Sequence, residues 1–291
     1  MNANYSIFKT IDLEKQYMAV YQAILDLWNV PHEAVDVPTR FGTTHINAAG
    51  PRERPALLLL PGFGANSTMW FPNIAALSSQ FRVYAVDTNG QPGKSLPDLS
   101  LTAANSAGWI AEVMDGLGLE KAALAGLSLG GWLSLNFAIR NPGRADRAVL
   151  IDPAASFAPM SPVWFLHSLF PFMIHPTRPG LIKYFDWMSR GYKVDPNWGE
   201  LMLQGILNTR PQPPIRATAF SKRELRSVRV PVLVLIGGRS VIYDPRRALQ
   251  RAQLIPGVQA EIVENASHTM NAEAADYVNA RMLDFLKQKE A

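Results

Sequence analysis

The sequence predicts an α/β fold: a mostly parallel, doubly wound sheet with an inserted helical cap. Three observations carry that prediction. Short, wholly apolar runs alternate with helix-length stretches. A glycine-flanked serine stands where one such run passes into a helical one. And about 80 residues of different texture, rich in Pro, Phe, Trp and Met, separate the runs 147–152 and 230–236.

The first element expected is a helix over residues 11–29, where Ile11, Leu13, Met18, Val20, Ile24, Leu25 and Trp28 recur in a loosely helical pattern that stops at Asn29-Val30-Pro31. We read residues 1–30 as a helical extension packed on the body. Two β-like runs follow, "EAVDV" and "FGTTHINAA", and then the apolar runs "ALLLL" (56–60), "RVYAVD" (82–87), "AALAGL" (122–127), "RAVLID" (147–152), "VPVLVLI" (230–236) and "AEIVE" (260–264). Runs without a polar alternation suit strands covered on both faces. The connection after 152 is too long for one crossover helix. We therefore expect a core of residues 31–154 and 222–291, with a cap of 155–221 over the carboxyl ends of the strands, where open α/β sheets bind ligands.

Composition narrows the function classes. The chain of 291 residues is 48% hydrophobic and 18% charged, enough to bury one large core. Its net charge of +4 comes without a Lys/Arg block, so no nucleic-acid partner is expected. Without cysteine there is no disulfide, thiol nucleophile or Cys-based metal site. The N-terminus lacks the pattern of a signal peptide, which makes a cytoplasmic location the expectation. No membrane span is expected either, because the most apolar segment, "SPVWFLHSLFPFMIHP", is interrupted by Pro162, Pro171 and Pro176.

Three motifs point to chemistry. In "LAGLSLGGW", Gly126, Ser128 and Gly130 form G-x-S-x-G between an apolar run and a helical one, the setting a nucleophile elbow needs to lift the Ser128 hydroxyl above a sheet. In "LLLLPGFGANSTMW", a strand ends in Pro61-Gly62-Phe63-Gly64. The N–H of Phe63, with that of Leu129 just after the serine, would be the two donors to an oxyanion. In "VENASHTM", His268 follows the last apolar run and precedes a helical one, where its imidazole can swing over the sheet as a general base. His32, His45, His167 and His175 lack that placement.

With these motifs the chain resembles the α/β-hydrolase superfamily, and within it the bacterial carboxylesterase-like members. The similarity runs from "TRFGTTHINAAGP" through "NSTMWFPNIAALSSQFRVYAVDTNGQPGKS" and "AGLSLGGW" to "ELRSVRVPVLVLIGGRSVIYDP" and "NASHTM". It implies an α/β-hydrolase fold, hydrolysis of small carboxylic esters without metal or organic cofactor, Ser128 as nucleophile, His268 as base, and Phe63 and Leu129 as oxyanion donors.

Two positions depart from the family pattern. Pro61 stands where a histidine usually precedes the oxyanion glycine, and Ser240 stands where such proteins usually carry an acid. Removing that charge while keeping the geometry costs on the order of 10⁴ in turnover. Three aspartates are candidates to replace it. Asp244 precedes Pro245 and "RRALQRA" and reads as a helix N-cap. Asp87 ends the run 82–87, on the far side of the oxyanion strand from the histidine loop. Asp152 ends the run after the nucleophile's helix, next to the strand of Ser240, and the proline after it favours an extended strand tip. Some members, haloalkane dehalogenases among them, take their acid from that earlier strand. Asp152 is thus the expected acid, against a plain Asp-Pro turn.

The expected activity is ester hydrolysis through an acyl-enzyme on Ser128, with an apolar cap-lined pocket to which Trp164 and Phe165 contribute. The alternatives are a hydrolase-fold protein that binds a small apolar ligand after losing turnover, and lactone or C–C bond hydrolysis by the same residues.

Overall fold

In the computed structural model, which describes residues 6–288, the chain folds around one twisted sheet. In chain order the strands are β1 (His32–Thr39), β2 (Gly42–Ala49), β3 (Ala56–Leu60), β4 (Arg82–Val86), β5 (Leu96–Pro97), β6 (Ala122–Leu127), β7 (Ala145–Ile151), β8 (Val232–Gly237) and β9 (Gln259–Val263). The helices are α1 (Ile11–Leu25), α2 (Ile74–Ser78), α3 (Ser106–Gly116), α4 (Leu129–Arg140), α5 (Pro162–Ser168), α6 (Arg178–Met188), α7 (Pro196–Asn208), α8 (Lys222–Arg226), α9 (Pro245–Ala252), α10 (Met270–Glu273) and α11 (Ala275–Leu286).

The sheet order is β1-β2-β4-β3-β6-β7-β8-β9, with β5 paired to β2. From β4 to β9 every pairing is parallel, while β1 and β2 form an antiparallel hairpin at one edge. The apolar runs of the sequence fall on β3, β4, β6, β7, β8 and β9 with ends shifted by at most two residues. Within β3 the strand alternation sorts its leucines between two cores. Leu58 and Leu60 face the layer containing α3, α4 and α9, and Leu57 and Leu59 the layer containing α1, α2 and α11. Both faces of the central strands are therefore dry, which is why they read as unbroken hydrophobic runs, while the edge strand β9 is half-buried.

The N-terminal helix differs from its sequence pattern in one respect. Thr10 caps α1 through Leu13 N–H, but the buried face is Tyr17, Tyr21, Ile24 and Leu25, while Ile11 is exposed. Tyrosines take inward positions because their hydroxyls find buried polar partners at the end of the sheet.

Between β7 and α8 the chain carries α5, a single π-helical turn (Leu169–Ile174), α6 and α7. Of the prolines that interrupt the apolar segment in the sequence, Pro162 begins a helix, and Pro196 further on does the same. Pro162 follows the N-cap Ser161 of α5, and Pro196 follows Asp195, whose carboxylate accepts from Asn197 and Trp198 N–H. Pro171 lies inside the π turn. Among the described residues no helix is long and apolar enough to cross a membrane.

The strand order reverses between β3 and β6, the position where ligand crevices form in open α/β sheets. Helix α4 leaves that point with almost no clearance. A Cβ on Gly126 would lie 2.1 Å from the Gly130 carbonyl carbon, and one on Gly130 would lie 1.9 Å from Leu60 O. Glycine is the residue that fits both sites. Gly130→Ala should therefore lower stability by about 3 kcal/mol or more, or prevent folding. Urea unfolding of the variant checks this, and a midpoint like that of the parent would contradict it.

Candidate active site

One residue, Ser128, turns the chain from β6 into α4. Its φ of 56° and ψ of −116° lie where a side chain is strained by about 1–3 kcal/mol. The turn persists because its backbone is tied on both sides. Ser128 N–H donates to Ile151 O at 2.9 Å, and Ser128 O accepts from Trp132 and Ala154 N–H, each at 3.1 Å. The hydroxyl is thereby presented at the carboxyl edge of the sheet. A Cβ built on Gly62 would lie 3.6 Å from Ser128 Cβ, which puts the Pro61-Gly62-Phe63 loop directly beside the serine. Leu129 is the first residue of α4, so its N–H belongs to the unpaired, positive end of that helix.

The next strand ends in step with β6. Leu127 pairs with Ile151, so Ser128 and Asp152 are the first residues beyond two adjacent strand ends. Asp152 is fully buried, and its carboxylate receives four hydrogen bonds. Oδ1 accepts from Gly237 N–H at 3.0 Å and Tyr243 O–H at 2.5 Å. Oδ2 lies 2.7 Å from Ser240 Oγ, which donates to it, and 2.6 Å from His268 Nδ1. A carboxylate this deep is tolerable only with its lone pairs occupied. The extended strand tip expected at Asp152 is not what forms. Its φ is +39°, because the residue must turn its side chain across β8 while Asp152 N–H still bonds Leu235 O at 2.7 Å.

His268 sits in the loop after β9, and that loop packs against the turn after β8. Gly238 N–H donates to Val263 O and Arg239 N–H to Ala266 O. The preceding residue is fixed by Glu273, which accepts from both the N–H and the hydroxyl of Ser267. His268 itself is buried, with its Nδ1 turned to the Asp152 carboxylate.

The comparisons place the chain as a whole. Residues 57–281 match the model of the alpha/beta hydrolase family. The chain belongs to that family. Carboxylesterase YbfK of Bacillus subtilis strain 168 is 40% identical over 289 residues, covering 96% of each chain. The crystal structure of that carboxylesterase, CesB, superposes with a TM-score of 0.90 over 96% of this chain and all of that one, at 39% identity. The naproxen esterase of the same organism superposes with a TM-score of 0.89 over the same shares, at 38% identity.

Of the residues singled out in the sequence of this α/β hydrolase, Ser128, Asp152, Phe63 and Leu129 gather at the β3–β6–β7 edge, and His268 joins them through Asp152. Trp164 is half-buried in α5 and donates from Nε1 to Tyr184 O–H at 3.1 Å, while Phe165 is exposed. Asp244 caps α9 by accepting from Arg247 N–H. Asp87 is engaged elsewhere, by Ser67 N–H, Lys94 N–H and Tyr21 O–H. His45 pairs with Asp36 across the β1–β2 hairpin, and His167 stacks on Trp187 with ring centroids 4.3 Å apart.

Sequence reasoning missed the donor roles of two residues. Ser240 is a donor to the buried carboxylate, and Tyr243, three positions on, is another. The signal was present as two hydroxyl side chains in "RSVIYDP" just after a buried strand. Burial pushes the Tyr243 phenol well above its ordinary range, and the Asp152 charge beside it raises it further. A group that prefers its neutral form when folded adds stability below about pH 10, and that contribution is lost as pH rises above it. Tyr243 should thus ionise only as the protein unfolds in alkali. Absorbance titration of the parent against Tyr243→Phe, followed beside circular dichroism, checks this. A phenol assigned to Tyr243 that ionises near its ordinary pKa of about 10 in folded protein would contradict it.

Proposed function

We propose that this α/β hydrolase is a carboxylesterase-type serine hydrolase, with Ser128 as nucleophile, His268 as general base and acid, and Asp152 as the carboxylate that orients the imidazole. The single observation that carries the reading is the 2.6 Å contact between His268 Nδ1 and Asp152 Oδ2, made beside the strained turn of Ser128. A carboxylate on Nδ1 keeps the proton there, so Nε2 is free to accept one. The carboxylesterase and naproxen esterase relatives, alike over nearly the whole chain, support the same reaction class.

In the reaction, Ser128 Oγ attacks the ester carbonyl carbon while His268 Nε2 takes its proton. Negative charge collects on the carbonyl oxygen, and the Phe63 and Leu129 N–H groups receive it at the positive end of α4. The C–O bond to the alcohol breaks as the imidazolium returns the proton to the leaving oxygen. Water, deprotonated by the same Nε2, then attacks the acyl carbon, and the bond to Ser128 Oγ breaks as the imidazolium returns the proton to that oxygen, releasing the carboxylic acid. Asp152 stabilises the imidazolium in both halves.

We assign residues 155–221, with α5, α6 and α7, as the cap, and the substrate side to its aromatic face. Phe63 stands with its ring centroid 5.8 Å from that of Phe172 in the π turn, which supports an apolar channel between the oxyanion loop and the cap. Trp164 and Phe165 on α5 are assigned to the same apolar lining. The reading of a ligand-binding protein without turnover rests on the missing acid at Ser240 and on Pro61, and a buried carboxylate on His268 weakens the first of these two supports.

Ser128→Ala should abolish both turnover of short p-nitrophenyl esters and labelling by a fluorophosphonate. Asp152→Asn should stay folded and lose about 10² to 10⁴ in kcat. Parent-like kcat in Asp152→Asn would remove Asp152 from the mechanism, and no turnover or labelling in the parent would favour the binding reading.

A further inference from the structure

The loop that carries Phe63 is braced from outside the catalytic residues. Gly64 N–H donates to Gln91 Oε1 at 2.8 Å, and Ser67 N–H to Asp87 Oδ1 at 2.8 Å. The other braces come from α1. Tyr17 O–H accepts from Asn66 Nδ2 at 2.7 Å and donates to Pro92 O at 3.1 Å. Tyr21 O–H shares a 2.8 Å hydrogen bond with Ser67 Oγ, lies 3.2 Å from Asp87 Oδ2, and accepts from Asn47 Nδ2 at 2.6 Å. Both phenols are fully buried, and burial together with the Asp87 charge holds both well above the ordinary tyrosine range.

Helix α1 is in turn fixed to α7. Lys9 N–H donates to Asn208 O and Arg210 N–H to Ile7 O, and a Cβ on Gly205 would sit 3.5 Å from the Tyr17 ring. The same helix reaches the oxyanion loop, where Met202 Cε would lie 3.7 Å from a Cβ on Gly64. Packing alone would be served by phenylalanine. Replacing hydrogen-bonding groups by apolar ones of the same shape can be nearly neutral for stability, so buried hydroxyls that each bond two loop segments specify position.

We propose that Tyr17 and Tyr21 are positioning residues that hold the 61–67 loop, and with it the Phe63 N–H, where it receives the oxyanion formed over Ser128. The inference rests on the Ser128 and Phe63 roles proposed above. A donor displaced by a fraction of an ångström loses most of its value to the transition state and little to the ground state.

The test compares Tyr17→Phe, Tyr21→Phe and the double variant with the parent, well below their melting temperatures. kcat on p-nitrophenyl butyrate should fall about 10-fold in each single variant and about 100-fold in the double, with KM within about twofold. The inhibition constant of an alkyl trifluoromethyl ketone, which forms an oxyanion on the serine, should rise in parallel with the loss in kcat/KM. Val113→Ala, in the core layer on the other face of the sheet, should lower the melting temperature and leave both constants unchanged. Parent-like kcat and inhibition constants in the double variant would overturn the bracing role, as would an equal loss in Val113→Ala. Turnover that survives in Ser128→Ala would instead overturn the catalytic reading beneath it, and the bracing role with it.

Discussion

The site depends on one buried carboxylate. Asp152 joins three separate pieces of chain: the end of β7, which it directly follows, the end of β8 and the turn after it through Gly237, Ser240 and Tyr243, and the loop after β9 through His268. A charge that far from water would cost several kcal/mol if left unpaired. Four donors offset that cost, and because they come from different elements, satisfying the carboxylate also sets where those elements stop. The left-handed backbone at Asp152 and the crowding of Gly237 and Gly238 against the histidine loop follow from the same requirement.

The proposed chemistry divides between rigid and adjustable parts of the fold. The nucleophile and the first donor sit at the β6–α4 junction, where glycines allow backbone to touch backbone and leave no freedom to adapt. The second donor sits on a loop held by a buried polar network, and the general base sits on a loop held by the acid and by Glu273. The stiff junction makes the attacking group available at a fixed place. The hydrogen-bonded loops set the direction from which charge is stabilised, and that is where single side chains are expected to tune turnover.

Much of this was legible in the sequence. Parallel strands buried on both faces leave unbroken apolar runs, and each such run from "ALLLL" to "AEIVE" fell on a strand. The elbow was legible because glycine is required there by contact distance. The roles of Ser240 and Tyr243 were not, because a hydroxyl's partner is set by the meeting of two strand ends, and Asp152 lies 88 and 91 residues away from them in the chain. The inward tyrosines of α1 escaped for a related reason: a search for apolar periodicity passes over residues whose polar tips are what is buried. Ser240, which looked like a lost acid, is instead a donor to the buried Asp152 carboxylate, the acid of the proposed mechanism.

The central claim is that Asp152 carries the negative charge on which His268 depends. Proton NMR of the His268 Nδ1–H tests it most directly, since a proton shared with a carboxylate at this distance resonates far downfield of the other imidazole protons. The signal should be present in the parent, persist in Ser240→Ala and vanish in Asp152→Asn. Its survival in folded Asp152→Asn would contradict the claim.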